Sequence, residues 1–474
     1  MYKYSITAII SALFFLITSS CEKEEYLTSN AQLYFSTDTI SFDTVFNTIA
    51  TSTRKLMVYN RYNKSLKISS ITLAGGTASA YKINIDGLSK TSVENIELYP
   101  KDSMYIFVQL VNPQQNNNQP INIDDELVFS TNEQTQKVLL RAWGQNVIIL
   151  RDKHIATDTF TSAKPYLVYG TLTVDSGQLL TLEAGTRIFF HNKAKMIVKG
   201  SIQSKGELNK PVLLACDRFD NLLPDISYKI IGGLWSGIEF ESTSENNIFA
   251  YTEIRNAITA IKSTNANAYY SIKFEFINSQ ILHNSFCGFY LQNSSVKLVN
   301  TVIANAGSSL FTAFGGGQFE FIHCTLADFF EVGQLTGRNK GDLVFLTDTF
   351  NNTSNKLNIY FGNTVLVSNY GASFNVNTLD STHINYRFEN CFLDLDYSKF
   401  DTTNISNFKK NKFSTNRSLF KSNSDFSYNF TPDTLSVLIN IGSDSIAQLY
   451  PLDIKGQSRI STKSDIGAIE RIEK

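Results

Sequence analysis

The chain has 474 residues, of which 42% are hydrophobic and 18% are charged, and its formal net charge is -1. This balance provides no basic field for nucleic acid, and the hydrophobic content suffices for folded cores in a chain long enough for two domains. Aromatic residues make up 12% of the chain, while only 8 residues are proline. Because Phe and Tyr enrichment without helical periodicity favours strands, we predict an all-β protein.

The N-terminus has the pattern of a secretory signal peptide. Lys3 precedes an apolar run from Ile6 to Ile17, and small residues then lead to Cys21. The run is shorter than the roughly 20 apolar residues that a membrane-spanning helix needs, so we predict cleavage rather than insertion. Residues 1–20 are therefore assigned to the signal peptide and residues 21–30 to a tether.

The ending "LITSSC" resembles the lipobox of bacterial lipoproteins, although Thr18 stands where Leu is usual in that family. Lipoproteins are cut directly before the cysteine and carry acyl chains on it, so the resemblance implies lipid attachment at Cys21 and a membrane as partner. The acidic residues Glu22, Glu24 and Glu25 resemble the surface-export signal of Bacteroidetes lipoproteins. Together these resemblances imply a lipid-anchored protein of the bacterial outer membrane that faces the cell exterior.

Residues 31–148 show the pattern of a β-sandwich. Short alternating segments such as "RKLMVYN" and "MYIFVQLV" recur there with polar turns between them. Period-2 alternation with regular turns favours an antiparallel β-sandwich. The last segments, "DELVFSTN" and "VLLRAWG", resemble the final strands of bacterial immunoglobulin-like domains of the ASH/MSP type. Such domains act as spacers or as protein-binding modules.

Residues 149–474 have the pattern of a parallel β-helix. The segments "LTLEAGTRIFF" and "IVKGSIQSKG" resemble the entry rungs of right-handed parallel β-helices from bacterial surface proteins. Further along, an apolar anchor recurs about every 23 residues, and a polar side chain follows most anchors two residues later. In a stacked coil, such anchors form interior ladders and Asn side chains stack at the bends. The anchors are Ile254, Ile281, Ile303, Leu326, Phe350, Leu366 and Leu393, and the weak point of this repeat is one interval of only 16 residues, for which a misassigned anchor is one explanation.

The tail "PLDIKGQSRISTKSDIGAIE" resembles the ending of bacterial β-helix proteins with a choice-of-anchor-Q-type terminus. The matching positions are Asp453, Gly456, Arg459, Asp465, Ile466, Gly467, Ala468 and Glu470. The resemblance implies a structural end-piece of the last coils rather than a functional site.

Four cysteines follow Cys21, at positions 216, 287, 324 and 391, and none of them lies in a CxxC motif. An even number in an exported chain allows disulfides, whereas the spacing supports no zinc site. Cys324 and Cys391 each lie two residues before an anchor and three anchors apart. Because each rung adds one strand spacing of about 4.8 Å, the two cysteines are about 14 Å apart. This distance is beyond the reach of a disulfide. We therefore predict that both are buried free thiols.

The weak catalytic candidates are Asp394 and Asp396, with Lys399 nearby. Two residues apart on a strand, both carboxylates face the same side. A lyase of this fold needs clustered carboxylates for calcium and a basic residue, and a hydrolase needs paired carboxylates. Because no second carboxylate stacks beside this pair in the neighbouring rungs, a solvent-exposed pair is favoured.

Trp235, in "GGLWSGIEF", is a candidate for stacking on a sugar ring, although a bulky aromatic flanked by glycines more often fills a core. The five histidines are scattered, and His323 occupies the rung position at which Asn278, Asn300 and Asn390 appear, which predicts a place in a polar ladder. The sequence contains no GxSxG, HExxH, Walker or Rossmann motif.

These features predict a non-catalytic cell-surface lipoprotein whose β-helix binds a glycan or a surface protein. The sequence favours this role over an enzyme and predicts no cofactor. One alternative is a polysaccharide lyase or glycoside hydrolase with a dispersed site, and calcium enters only in the case of a lyase. The other is a purely structural or adhesive stalk. The sequence does not identify the ligand, the oligomeric state or the membrane leaflet.

Overall fold

The computed structural model describes residues 26–27, 31–47, 51, 53–85, 87–112, 118–131, 134–223, 225–264, 272–331, 341–370, 373–395, 398–415, 418–424, 426–461 and 463–472. The signal peptide and Cys21 lie outside the described residues. The chain forms two compact units, one ending at Asn146 and the other beginning at Val147.

The first unit contains two five-stranded sheets. Its strands are β1 (Tyr34–Phe35), β2 (Thr39–Phe46), β3 (Arg54–Tyr59), β4 (Leu66–Leu73), β5 (Tyr81–Ile85), β6 (Leu88–Ser89), β7 (Ser92–Leu98), β8 (Ser103–Leu110), β9 (Ile121–Thr131) and β10 (Gln134–Gln145). The first sheet has the order β1-β3-β8-β5-β6, and the second has the order β2-β10-β9-β4-β7. Neighbouring strands are antiparallel except β2 and β10, which are parallel.

Alternation of side chains explains why these strands form two packed layers. In β3 the inward residues Leu56 and Val58 are fully buried, and in β9 Leu127 and Phe129 are fully buried. These residues from the two sheets share one apolar core. Because successive side chains on a strand point to opposite faces, this pattern requires a sheet on either side of the core. The unit is therefore the predicted antiparallel β-sandwich.

The second unit is built from short strands joined by tight turns. Its strands are β11 (Ile148–Ile155), β12 (Asp158–Phe160), β13 (Tyr166–Val174), β14 (Leu179–Leu182), β15 (Arg187–Phe190), β16 (Lys195–Val198), β17 (Ser201–Lys205), β18 (Val212–Cys216), β19 (Asn221–Leu223), β20 (Ile226–Ser227), β21 (Gly237–Glu241), β22 (Asn247–Ala250), β23 (Thr252–Arg255), β24 (Thr259–Thr264), β25 (Ile272–Ile277), β26 (Gln280–Asn284), β27 (Cys287–Gln292), β28 (Ser294–Val299), β29 (Val302–Ala306), β30 (Ser309–Phe314), β31 (Gly317–Ile322), β32 (Thr325–Asp328), β33 (Val344–Thr347), β34 (Thr349–Phe350), β35 (Thr353–Ser354), β36 (Leu357–Gly362), β37 (Val365–Ser368), β38 (Phe374–Asn377), β39 (Ile384–Glu389), β40 (Phe392–Leu393), β41 (Phe408–Lys409), β42 (Lys412–Phe413), β43 (Phe420–Ser424) and β44 (Ser427–Pro432). Short 3-10 helices cover Gly76–Ala78 in the first unit and Tyr228–Ile230 and Ser381–His383 in the second, and helix α1 covers Asp444–Leu449. Within the described ranges, no helix is both long and apolar enough to span a membrane.

The strands of the second unit wind into a parallel β-helix with three faces. Face A contains β15, β18, β23, β26, β29, β32, β37, β40 and β42. Face B contains β16, β21, β24, β27, β30, β33 and β38, and β13 pairs with the first strand of both faces. Face C is the ten-stranded sheet β12-β14-β17-β22-β25-β28-β31-β36-β39-β41. The pairings within the three faces are parallel, as the sequence pattern predicted.

The strand register confirms six of the seven anchors. Ile254, Ile281, Ile303, Leu326, Leu366 and Leu393 pair in this order on face A, and all six side chains are fully buried. Phe350 was wrongly assigned. It lies half-buried in β34, which forms an antiparallel hairpin with β35 inside a long insertion in one coil. Without Phe350 in the series, Leu326 and Leu366 are successive anchors. The interval of 16 residues therefore came from the wrong assignment of Phe350.

Stacked polar residues form the corner between faces C and A. Asn278, Asn300, His323, Asn363 and Asn390 all have positive φ values at this corner. Asn reaches this left-handed conformation at low cost because its short polar side chain can bond locally. The Nε2 atom of His323 lies 3.3 Å from the Nδ2 atom of Asn363. His323 therefore occupies the ladder position that the sequence predicted.

The residue after each of these corner positions is Ser, Thr or Cys. The Cys324 thiol lies 3.4 Å from the carbonyl of Ile322 and 3.4 Å from that of Leu298 in the preceding coil. Cys391 and Cys324 are buried free thiols, as predicted. Thr364 occupies the rung between them, so they are two rungs apart rather than three, about 10 Å at the usual strand spacing.

The C-terminal segment covers the outer side of face A. Outward residues of this face, such as Val302, Ala327 and Val365, pack under Leu438 and Ile466 of the segment. The tail was expected to be an end-piece of the last coils. Instead it lies along several coils, because the outer side of face A is itself apolar and needs a cover.

Candidate functional site

The outer side of face C carries two rows of polar side chains. Register places Glu275, Lys297, Glu320, Tyr360 and Arg387 in one row on successive strands β25, β28, β31, β36 and β39. A second row, two residues earlier on the same strands, contains Lys273, Ser295, Gln318, Asn358 and Asn385. Adjacent strands in a sheet are about 4.8 Å apart, so each row offers one polar side chain at that interval.

These rows form the floor of a groove. A cleft of about 470 Å³ is lined by Lys273, Lys297, Gln318, Lys356 and Asn358, among others. An adjoining cleft of about 280 Å³ is lined by Asn385, Arg387 and Ser406. The two clefts share Gln318, Glu320 and Asn358, so they form one continuous groove across five strands of face C.

Helix α1 packs on face C next to the charged row. Ile446 packs on Val299 and Ile322, which lie two residues after the charged row on the same strands. Tyr450, directly after the helix, is partly buried and packs on this cluster. The Lys297 Nζ atom lies 6.0 Å from the centroid of the Tyr450 ring. The helix and Tyr450 therefore lie close to Lys297 of the charged row.

The charges in the groove alternate in sign along the row. Lys297 lies between Glu275 and Glu320, and its Nζ atom is 3.8 Å from Glu275 Oε1. Burial alone would lower the pKa of Lys297, but Tyr450, Glu275 and Glu320 outweigh it and raise the pKa above its ordinary value. Gln318 Nε2 donates to Glu320 Oε1 at 2.8 Å, which links the two rows.

The end of the groove at β39 is held by a second charged group. Glu389 accepts hydrogen bonds from Lys409 at 2.6 Å and from Arg387 at 3.2 Å. Burial would raise the pKa of Glu389, but these two cations outweigh it and lower the pKa below its ordinary value. Arg387 is thus fixed by its own neighbour and presents a positioned cation to the groove.

This arrangement suits an extended polar chain. Amides, lysines and carboxylates at one-strand intervals can donate to and accept from many hydroxyl groups at once. Glu275 and Glu320 are two strands apart, about 10 Å, which is slightly beyond the carboxyl separation of about 6.5–9.5 Å in inverting glycosidases. Lys297 occupies the position between them where such an enzyme would hold its water. The groove therefore fits binding better than hydrolysis.

Two of the three weak catalytic candidates lie among the described residues. Asp394 is half-buried directly after β40 on face A, and Lys399 is exposed. Asp396 lies outside the described residues. The outward residues on the preceding strands of face A are the paired Ala327 and Val367, which lie under the C-terminal segment. Within the described ranges, no group of three or more His, Cys, Asp or Glu residues could hold a metal ion.

Trp235 is a core residue, which overturns its interpretation as a sugar-stacking side chain. It is fully buried, and its ring stacks on Phe190 at a centroid distance of 4.0 Å. Its Nε1 atom donates to the carbonyl of Arg255 at 2.8 Å. A ring with both faces inside the coil cannot reach a ligand.

A serine, a histidine and an aspartate meet near the β34–β35 hairpin, but their geometry is structural. The Ser354 hydroxyl donates to Asp348 Oδ2 at 2.6 Å, so it accepts from His383 Nδ1 at 2.8 Å. Thr349, Thr378 and the Leu379 amide also donate to Asp348. Burial would raise the pKa of Asp348, but these donors outweigh it and lower the pKa. Histidine cannot take the proton of Ser354 here, and the cluster fastens the hairpin to the next coil.

Sequence reasoning missed the groove because the strands of face C were not placed in register. Gln318 and Asn358 are neighbours in space but 40 residues apart in the chain. The signal that could have revealed them is the polar residue at every second position of the face C strands, as in "GQFEFI" and "LNIYFG".

No protein-family profile matches the chain, and no curated protein matches it. Among solved structures, a family 123 glycoside hydrolase from Clostridium perfringens is similar at 7% identity and a TM-score of 0.18, over 26% of this chain and 31% of that chain. The VesB protease of Vibrio cholerae is similar at 14% identity and a TM-score of 0.17, over 24% of this chain and 32% of that chain. The match to each thus spans about a third of its length.

A third similar structure is an ASH/PapD-like domain of human CEP192. It matches at 10% identity and a TM-score of 0.18, over 27% of this chain and 96% of that domain. TM-scores of this size carry no argument about function.

Proposed function

We propose that the protein is a lipid-anchored surface lipoprotein of the Bacteroidetes type whose β-helix binds an extended glycan in the groove of face C. The observation that carries the proposal is the row of Ser295, Gln318, Asn358 and Asn385 along the groove floor. Its interval of about 4.8 Å is comparable to the length of one sugar ring in an extended chain. The sandwich would then be an immunoglobulin-like spacer of the ASH/MSP type between the anchor and the β-helix.

The anchor can be tested separately from the groove. Cells that express the full chain are grown with a radioactive fatty acid, and the protein is isolated. We expect label on the wild type and none on Cys21→Ala, because the lipobox-like sequence makes Cys21 the acylated residue. Surface protease accessibility of the labelled protein then reports its exposure. An unlabelled wild type, or label retained by Cys21→Ala, would contradict the anchor.

Binding in the groove is tested with a glycan array followed by calorimetry on the glycan that binds. We expect the double variant Gln318→Ala/Asn358→Ala to lose at least tenfold in affinity, since it removes two hydrogen-bonding side chains of about 1 kcal/mol each. Gln203→Ala is the matched control. Gln203 lies on the outer side of the same sheet, on β17, and does not line either cleft.

The control should bind as the wild type does. Equal affinity in the double variant would place the glycan elsewhere, and failure of every glycan to bind would favour the structural stalk. Assays for reducing ends and for unsaturated products on the same glycans test for an enzyme. Turnover lost in Glu320→Gln would make the groove an active site, and turnover lost in Asp394→Ala would place the chemistry on face A.

A further inference from the structure

The two outer faces of the β-sandwich differ in charge. On the second sheet, Lys137 pairs with Glu126 at 2.6 Å and Arg141 pairs with Asp124 at 3.0 Å, each across strands β10 and β9. Such exposed pairs are typical of a solvated surface.

The outer face of the first sheet is aromatic and cationic instead. Tyr105 and Phe107 on β8 are 47% and 37% exposed, and their ring centroids are 5.0 Å apart. Lys55 on β3 is paired with Phe107, and Lys82 on β5 is paired with Gln109. Among the outward-facing strand residues of this sheet that the structure describes, none is Asp or Glu. The positive charge of this face is therefore left without cross-strand partners.

The aromatic pair borders a concave site. A cavity of about 570 Å³ is lined by Thr53, Lys82, Asn84, Tyr105, Phe107 and Gln109, among others. Asn84 is paired with Phe107 across β5 and β8, so an amide stands directly beside the ring. The site thus combines two exposed rings, two amides and an ammonium group in one pocket.

We propose that this pocket binds an acidic saccharide, one whose sugar rings carry carboxylate or sulfate groups. An aromatic face packs on the C–H face of a sugar ring, because the ring presents a negative quadrupole to those hydrogens. The amides supply donors and acceptors for hydroxyl groups. Lys82 supplies a charge-assisted hydrogen bond to the anionic substituent.

Other occupants suit the pocket less well. The core of a protein–protein interface is depleted of lysine, whereas lysine lines this pocket. A membrane surface favours a projecting apolar face, whereas these rings border a concavity with polar walls. The site lies wholly within the unit that ends at Asn146, so it is independent of the groove on the β-helix.

The test is calorimetry of the full chain with defined probes. The probes are oligogalacturonate and heparin-derived oligosaccharides, maltohexaose as a neutral oligosaccharide, and vesicles containing an anionic phospholipid. We expect the acidic oligosaccharides to bind and their affinity to fall with added salt, because the lysine charge is screened. We expect at least a tenfold loss in Tyr105→Ala/Phe107→Ala, and a weaker salt dependence in Lys82→Gln.

Trp143→Ala is the matched control, because Trp143 is an aromatic residue 49% exposed on the second sheet. Binding should survive in this control and in Gln318→Ala/Asn358→Ala, which separates the pocket from the groove. Thermal melts check that each variant is folded. The proposal is overturned if no acidic oligosaccharide binds, if maltohexaose binds equally well, if binding survives loss of both rings, or if only the vesicles bind.

Discussion

Replacing Arg459 with alanine is expected to lower the free energy of unfolding of the β-helix unit by about 3–5 kcal/mol, since it leaves a buried carboxylate without its partner. Arg459 is 1% exposed, and its Nη1 atom donates to Glu470 Oε1. Its Nη2 atom donates to Asn300 Oδ1 at 3.1 Å and to the Gly467 carbonyl at 3.1 Å. One guanidinium thus joins the C-terminal segment to a corner of the coil.

The backbone around this guanidinium depends on the same network. Both carboxylate oxygens of Glu470 lie 3.2 Å from the Asp465 amide, and Asp453 accepts from the amides of Lys455, Gln457 and Glu470. Burial raises the pKa of Glu470 to about 7, even though the Arg459 charge opposes that rise. Removal of the arginine therefore favours protonation of Glu470 and loosens the segment that covers face A.

Urea denaturation followed by circular dichroism measures this effect at neutral pH. Lys463→Ala is the control, because Lys463 is an exposed cation of the same segment and its loss should change little. The paired variant Arg459→Met/Glu470→Gln should be less destabilised than Arg459→Ala, because it also removes the buried carboxylate to which Arg459 donates. Equal unfolding midpoints for Arg459→Ala and Lys463→Ala would show that the network does not hold the segment.

The interior of the coil could be predicted from the sequence, because each turn must bury at least one large apolar residue at a fixed place. Ile281, Ile303 and Leu326 repeat at nearly equal intervals and pair as predicted. Phe350 was misassigned because an apolar residue followed by Asn in a hairpin gives the same local pattern as an anchor. The insertion that contains it has no periodic counterpart, and only strand pairing separates the two cases.

The outer surfaces could not be predicted in the same way. The side chains of the groove floor, such as Gln318 and Asn358, point outward and do not have to fill a core. Their spacing in the chain depends on the lengths of the insertions between strands and shows no regular repeat. The tail motif was recognised through its resemblance to other β-helix proteins, but its location depends on contacts such as that between Arg459 and Asn300, 159 residues apart. Local sequence patterns do not show which residues are in contact when they lie that far apart in the chain.

Two histidines make the folded state sensitive to acid. His283 and His323 are both buried at corners of the coil, 6% and 0% exposed. Burial, with a smaller effect from the nearby Arg255 charge, lowers the pKa of His283 to about 3. Burial, with a smaller effect from Arg459, also lowers the pKa of His323 well below its ordinary value. Both side chains are therefore neutral in the folded protein at neutral pH.

The sign of the pH dependence follows from these lowered values. The unfolded chain binds protons at these histidines near pH 6.5, before the folded protein does. Stability from both histidines is thus complete above about pH 6.5 and is lost as the pH falls below that value, in the case of His283 towards a folded-state pKa of about 3. His283 costs up to about 1.4 kcal/mol per pH unit in this window, so it costs roughly 3 kcal/mol at pH 4.5, and His323 adds a loss of the same sign.

We expect the double variant His283→Asn/His323→Asn to fold at pH 7.5 as the wild type does and to lose clearly less stability at pH 4.5. Asn fits both corners, because His283 and His323 have φ values of 55° and 50° and Asn already occupies the neighbouring positions Asn305 and Asn363. Urea midpoints at the two pH values measure the difference. His154→Asn is the control, since the His154 side chain is 69% exposed. If the double variant and the wild type lost the same stability between pH 7.5 and 4.5, the acid sensitivity would arise from other groups.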